Sequence, residues 1–441
     1  MSAAPATRSP ATLANAPGPG AALARDLCAR IAERTADAPG VTRVAYGAGE
    51  QAAHDIVAEA AQAHGAERAH DAAGNQFLIL PGTDRSRAIL IGSHLDSVPH
   101  GGDHDGVAGV LMGVALQADL VAAGRVPPCD LVVACLRAEE SCWFPYSYIG
   151  SKTALGRLPA EVLDAVKRSD DGESLGAHMA RLGHDPAAVR RGAALYPPER
   201  VAAFIEPHIE QGPALVEAGV PLGLVTGIRG SVRFRTIALT GAYAHSGATP
   251  RALRRDAGLA GARLISAMHA LWDVFEAEGR DLTVTFGEIG TDPATHGFSK
   301  VPGALHLCLD IRSAEPDALE DAEAVLREAA REIATETGVE IDLGPRSDSA
   351  PAPLSDALRA HFADAARAAG IETLTLASGA GHDAATYAAA GVPTAMLFIR
   401  NRNGSHNPEE HMDFADFDAG LRLLDRALAD PELPARLERG A

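Results

Sequence analysis

Five short segments of this sequence bring together residue types that bind metals and move protons. The first is Gly92-Ser93-His94-Leu95-Asp96. A metal-bound imidazole usually gives its other ring N–H to a carboxylate or carbonyl, so Asp96, two positions on, suits a role orienting His94. In Gly101-Gly102-Asp103-His104-Asp105-Gly106 a carboxylate sits in a glycine-rich turn that opens a helix. Asp105 there could bridge two cations, one per oxygen, or could simply cap the helix. His104 is expected to face solvent or to stand behind the ligands. In Arg137-Ala138-Glu139-Glu140 two adjacent carboxylates follow an apolar run, and such neighbours repel unless a cation or proton intervenes. Glu140 is expected to bind metal and Glu139 to serve as general base toward an attacking water. His208, in His208-Ile209-Glu210-Gln211-Gly212-Pro213, and His406, in Gly404-Ser405-His406-Asn407-Pro408-Glu409-Glu410, complete the set. Either histidine alone would more often be an ordinary loop residue, and His94 alone would as readily be a surface residue beside a turn aspartate. Five such segments in one chain point to hydrolysis assisted by divalent cations, held by imidazole and carboxylate without thiolate.

Such residues need a rigid frame, and the rest of the sequence supplies one. Asp130 to Leu136 and Val201 to Ile205 are continuous apolar runs, as in strands buried on both faces. Ala88 to Gly92, Thr373 to Leu376 and Pro393 to Ile399 also read as strands. Ala22 to Arg34, Glu50 to Ala63, Asp105 to Ala123 and Leu354 to Ala369 read as helices. The result is a layered α/β domain, whose ligand sites lie at the strand ends. Between its two parts the pattern changes. Ser231 to Leu239, Leu282 to Ile289, Ala304 to Arg312 and Val339 to Leu343 read as strands, and Asp256 to Glu278 and Asp317 to Thr337 as helices. The first helix carries apolar Leu259, Leu264, Met268, Leu271 and Phe275. This β-α-β-β-α-β order predicts a ferredoxin-like α+β domain inserted at about 218–345, leaving a discontinuous catalytic domain of 1–217 and 346–441.

Composition narrows the function classes. With 441 residues, 46% of them apolar, the chain can build two cores, while 4% aromatics argue against a base-stacking surface. A net charge of −19 disfavours nucleic acid and anionic membranes as partners. The five cysteines are odd in number and lack zinc-finger spacing, as in a reducing compartment. No apolar run approaches membrane-helix length. The opening MSAAPATRSPATLANAPGPG reads as a floppy lead rather than a secretion signal, so the expected location is the cytoplasm.

From about Val41 to Asp413 the sequence resembles the zinc-dependent N-carbamoyl-L-amino-acid hydrolases, β-ureidopropionases and allantoate amidohydrolases. GSHLDSVPHGGDHDGVAGV, HIEQGPALVEAG, AHSGATP, VPGALHLCLDIRS and SGAGHDAATY carry the resemblance. It implies a metallopeptidase-like α/β domain with an inserted lid that also makes a homodimer. Two divalent ions per subunit are implied, zinc foremost, with manganese, cobalt or nickel as alternatives. One would sit on His94 and His208 and the other on Glu140 and His406, with Asp105 bridging. Related aminopeptidases and aminoacylases generally carry an acidic ligand where this chain has His208. His245 resembles the histidine that reaches the partner's site to stabilise an oxyanion, and Arg312 the arginine that clamps the substrate carboxylate. Gln211 resembles a polar contact to the carbamoyl group, and His382 another residue on the substrate side.

Some positions depart from the family pattern. Ser299 stands where asparagine is usual, so one substrate contact is expected to be lost or water-mediated. Trp143 replaces an arginine, and Arg251 a common methionine. The implied reaction is hydrolysis of a ureido acid to free amine, ammonia and carbon dioxide. The alternatives are an aminoacylase or dipeptidase of the same superfamily, or an inactive relative that binds ligand.

Overall fold

The computed structural model describes residues 18–433 in two compact units. The reading of the opening segment therefore falls outside the described residues up to position 17. One unit takes in the described residues through Thr226, Leu354–Leu376, and the described residues from His382 onward; the other holds Gly227–Pro353 and Ala377–Gly381. These boundaries lie later than the 218–345 expected from sequence. Leu222–Ile228 runs antiparallel to Thr394–Ile399 and so belongs to the large sheet. Arg346–Ser349 pairs with Gly230–Thr240 and so extends the smaller one.

The large unit is built on a mixed sheet. Strands Thr394–Ile399, Val201–Ile209, Asp84–His94 and Cys129–Leu136 lie side by side and parallel. Gln76–Leu80 and Glu67–His70 add on antiparallel beyond Cys129–Leu136. Strands Cys129–Leu136, Val201–Ile209 and Thr394–Ile399 are buried at every residue, which explains their near-continuous apolar sequences. Helix Val107–Ala122 is apolar on nearly all sides because it packs on the sheet and also against helices Pro19–Arg34 and Phe414–Leu428. Gly92 permits close strand packing, since a Cβ there would stand 1.9 Å from the Ala134 carbonyl oxygen.

The smaller unit follows the β-α-β-β-α-β order. Its strands lie in the order Thr283–Gly290, Ala304–Ser313, Gly230–Thr240, Glu340–Asp342. Helices Ala257–Glu278 and Pro316–Thr337 contribute Leu264, Met268, Phe275, Leu326 and Ile333 to a core with Phe234, Ile237 and Leu309. Leu259, counted in the apolar stripe of the first helix, is instead half exposed, as is Val274. Among the described residues no helix is long and apolar enough to cross a membrane.

Candidate metal centre

Parallel neighbours end on the same side of a sheet, and this brings the chemical segments together. His94 is the last residue of its strand and pairs in register with Leu136, just before the glutamate pair. His208 is the penultimate residue of Val201–Ile209, which is paired with Thr394–Ile399, the strand that leads toward His406. Asp105 does not cap the following helix. That helix starts at Val107 on Gly106, with no side-chain cap bond, so the Asp105 carboxylate is free to turn inward. Gly106 has φ 68°, and a Cβ there would meet the His94 ring at 2.6 Å.

Asp105 stands at the centre. Its Oδ1 is 3.1 Å from His208 Nε2 and 3.6 Å from His94 Nε2. Its Oδ2 is 3.2 Å from His406 Nε2, which also lies 3.3 Å from Glu140 Oε1. Two groups of three result, His94–Asp105–His208 and Asp105–Glu140–His406, each with ligand atoms within 4.8 Å of one another. The rings are oriented from behind. His208 Nδ1 lies 2.8 Å from the Ile209 carbonyl, and His94 Nδ1 lies 3.1 Å from the Asp96 carbonyl. Each therefore presents Nε2 to Asp105. The Asp96 carboxylate is 3.4 Å from His94 Nδ1, but its hydrogen bonds come from the backbone N–H groups of Glu139 and Glu140, both at 3.1 Å. Asp96 thus ties the two halves of the centre together.

The donor set fits divalent cations. Asp105 Oδ1 and His208 Nε2 are buried without a hydrogen-bond partner, which is costly unless something else binds them. Burial and the nearby Asp105 charge push the Glu140 carboxyl up to about 7. Burial likewise holds the Glu139 carboxyl well above its ordinary range, with Glu140 adding to the effect. A bound cation would relieve this crowding of carboxylates. A third group, Asp171, Glu173 and His178, has its acids already paired with Arg168 and Arg181.

The backbone is unusual at three of these positions. Ala138, Gln211 and His406 have φ of 51°, 64° and 60°, a left-handed conformation that non-glycine residues seldom adopt away from functional sites. Gln211 donates Nε2–H to Asp105 Oδ2 at 2.9 Å, while its Oε1 is buried without a partner. His382 is buried with its ring edge-on to His208, 4.5 Å between centroids; burial and the His208 charge hold it far below its usual pKa. His104 is buried rather than solvent-facing, with Nδ1 3.7 Å from Cys28 Sγ and its ring against Phe414. His245, Ser299 and Arg312 belong to the smaller unit. His245 pairs in register with Lys300, and the Ser299 carbonyl accepts the Ser246 N–H. Arg312 bonds the Asp310 carboxylate and donates to the Gly379 carbonyl.

Sequence reasoning missed Glu410, whose Oε1 accepts the N–H groups of His104 and Asp105 and so shapes the Asp105 turn. It also missed Ser405, whose Oγ is 2.7 Å from Asp105 Oδ2. Glu206 left a signal, a lone charge inside an apolar strand; it accepts from Ser93 Oγ and the Ala384 N–H, both at 2.7 Å.

Residues 90–430 match the family described as peptidase family M20/M25/M40. The chain is 34% identical to an N-carbamoyl-L-amino acid amidohydrolase from Geobacillus stearothermophilus, covering 87% of this chain and 92% of that one. It is 31% identical to an allantoate amidohydrolase of Escherichia coli, covering 88% and 92%. Its fold is similar to the crystal structure of a hydantoinase/carbamoylase family amidase from Burkholderia multivorans, with a TM-score of 0.84, 28% identity, and coverage of 92% and 97%.

Proposed function

This chain belongs to peptidase family M20/M25/M40, and we propose that it hydrolyses the ureido C–N bond of an N-carbamoyl amino acid or a closely related ureido acid. It is a metal-dependent hydrolase of C–N bonds. The observation that carries the reading is Asp105, shared between two histidine-containing groups with Glu139 beside them, in a chain whose relatives are named for ureido substrates.

In this reading His94, Asp105 and His208 would hold one divalent ion and Asp105, Glu140 and His406 a second, with zinc the first choice. Bound cations would polarise the carbonyl and acidify water. Glu139 takes a proton from the attacking water and returns it to the leaving nitrogen. Gln211 offers its unpartnered Oε1 to the carbamoyl N–H. Arg312 clamps the substrate carboxylate, His245 donates to the oxyanion across a homodimer formed by the smaller unit, and Ser299 and His382 complete the substrate surround. The products are the free amine, ammonia and carbon dioxide. A cytoplasmic location is part of the proposal, and the odd count of five cysteines suits a reducing compartment.

The test is a substrate panel on metal-loaded protein. It sets ammonia release from allantoate, N-carbamoyl-β-alanine and several N-carbamoyl-L-amino acids beside amine release from N-acyl amino acids and dipeptides. Turnover confined to ureido acids is expected. Turnover confined to N-acyl amino acids or dipeptides would replace the reading with an aminoacylase or dipeptidase, and binding without turnover with a ligand-binding protein.

A further inference from the structure

The segment from His94 to Ser97 supplies one ligand of the metal centre and holds the backbone of another, and it is fastened from two sides by the side chains of Arg43 and Trp143. Asp96 accepts the amide N–H groups of Glu139 and Glu140, and its carbonyl receives the His94 ring. On one side Arg43, fully buried, donates Nε–H to the Leu95 carbonyl at 2.8 Å. Its backbone N–H reaches Ser97 Oγ at 2.9 Å, and its carbonyl accepts the Ser97 N–H at 3.0 Å. On the other side Trp143, 8% exposed, donates its indole N–H to the Ser97 carbonyl at 2.7 Å. Trp143 also lies three residues beyond Glu140, so one short stretch of chain holds the glutamate pair at its start and grips the segment behind that pair at its end.

We infer that Trp143 and Arg43 are positioning residues that lock the Leu95–Ser97 segment, and that this lock fixes His94 and the Glu139–Glu140 backbone in their mutual geometry. The inference rests on the metal-centre reading above and gives a role to the tryptophan that departs from the family pattern. A donor fixed by packing can hold a carbonyl within tenths of an ångström, and a centre assembled from several loops needs that support. Arg43 serves a second purpose. Its terminal nitrogens have no hydrogen-bond partner, and the cation lies in the field of Asp105, Asp103, Asp96 and Glu410, so it offsets part of the negative charge massed behind the site.

The experiment uses the full chain and Trp143→Phe, which keeps most of the packing and removes the indole N–H. Two quantities are read, neither needing a substrate: amide hydrogen exchange by mass spectrometry, and zinc and manganese affinity by calorimetry on metal-stripped protein. Peptides covering 93–98 and 137–141 are expected to exchange about tenfold faster with the remainder unchanged. Metal affinity is expected to fall by roughly 10- to 100-fold, the usual effect of losing a group that orients a ligand. Arg43→Lys, which keeps the charge and a side-chain donor, is expected to change both less than Arg43→Met, which keeps only the backbone bonds to Ser97. Exchange accelerated evenly along the chain would overturn the inference, because Trp143 would then be only a core residue. Unchanged exchange would overturn it too, as would local acceleration with unaltered metal affinity. If wild-type protein shows no specific affinity for either metal, the metal-centre reading fails and this inference with it. If metal binds and only the substrate panel fails, the lock stands.

Discussion

The Arg137 guanidinium meets the Glu50 carboxylate at 2.5 Å with both side chains buried, and Arg137 stands two residues before the glutamate pair. Glu50 Oε1 also accepts the Ala138 N–H at 3.2 Å, and Arg137 Nε donates to the Gly74 carbonyl at 2.7 Å. Removing one partner leaves an uncompensated buried charge, which costs about 3–5 kcal/mol. Glu50→Ala is therefore expected to lower the urea midpoint by a corresponding amount. A loss under about 1 kcal/mol would mean that water already screens the pair.

Metal stoichiometry separates the two groups around Asp105. Wild-type protein is expected to hold two divalent ions per subunit by elemental analysis, His406→Ala one, and Asp105→Ala neither firmly. Chelation should abolish turnover and zinc, manganese or cobalt restore it. One ion in wild type, or full activity without metal, would sink the two-ion arrangement.

Glu139→Gln is expected to keep its metals and its melting temperature while kcat falls by about 10²- to 10⁴-fold, the usual loss when a general base is removed. Should that variant lose metal while Glu140→Gln keeps it, the two roles are exchanged.

Gly106→Ala tests the turn. The φ of 68° and the 2.6 Å approach to the His94 ring leave no room for a methyl group. Strain on the order of 1–3 kcal/mol is expected, together with weaker metal binding. A variant with unchanged affinity and melting temperature would show that the turn adjusts freely.

Mixing inactive His245→Ala with inactive Glu139→Gln tests whether His245 works across a dimer. In a mixed dimer one site would carry both defects and the other none, so activity should return after subunit exchange. Exchange confirmed by native mass spectrometry without recovered activity would confine His245 to its own chain.

The sequence by itself marked the strand ends, because a strand buried on both faces must be written in apolar residues and a histidine or glutamate just beyond it stands out. It also marked the β-α-β-β-α-β order, since alternation and helical periodicity are local. What it could not decide was whether Asp105 caps a helix or faces three histidines, for both uses share one local pattern. Tertiary structure decided that by starting the helix at Val107 and by bringing Glu410, 305 residues away in the chain, onto the Asp105 N–H. The same holds for Arg43, Glu50 and Trp143, whose side chains look like ordinary helix and loop residues until their partners are known. Hydrogen bonds between distant segments leave no periodicity to read. The unit boundaries moved for a related reason: Leu222–Ile228 and Arg346–Ser349 are strands by pairing, and pairing is a property of the partner as much as of the segment.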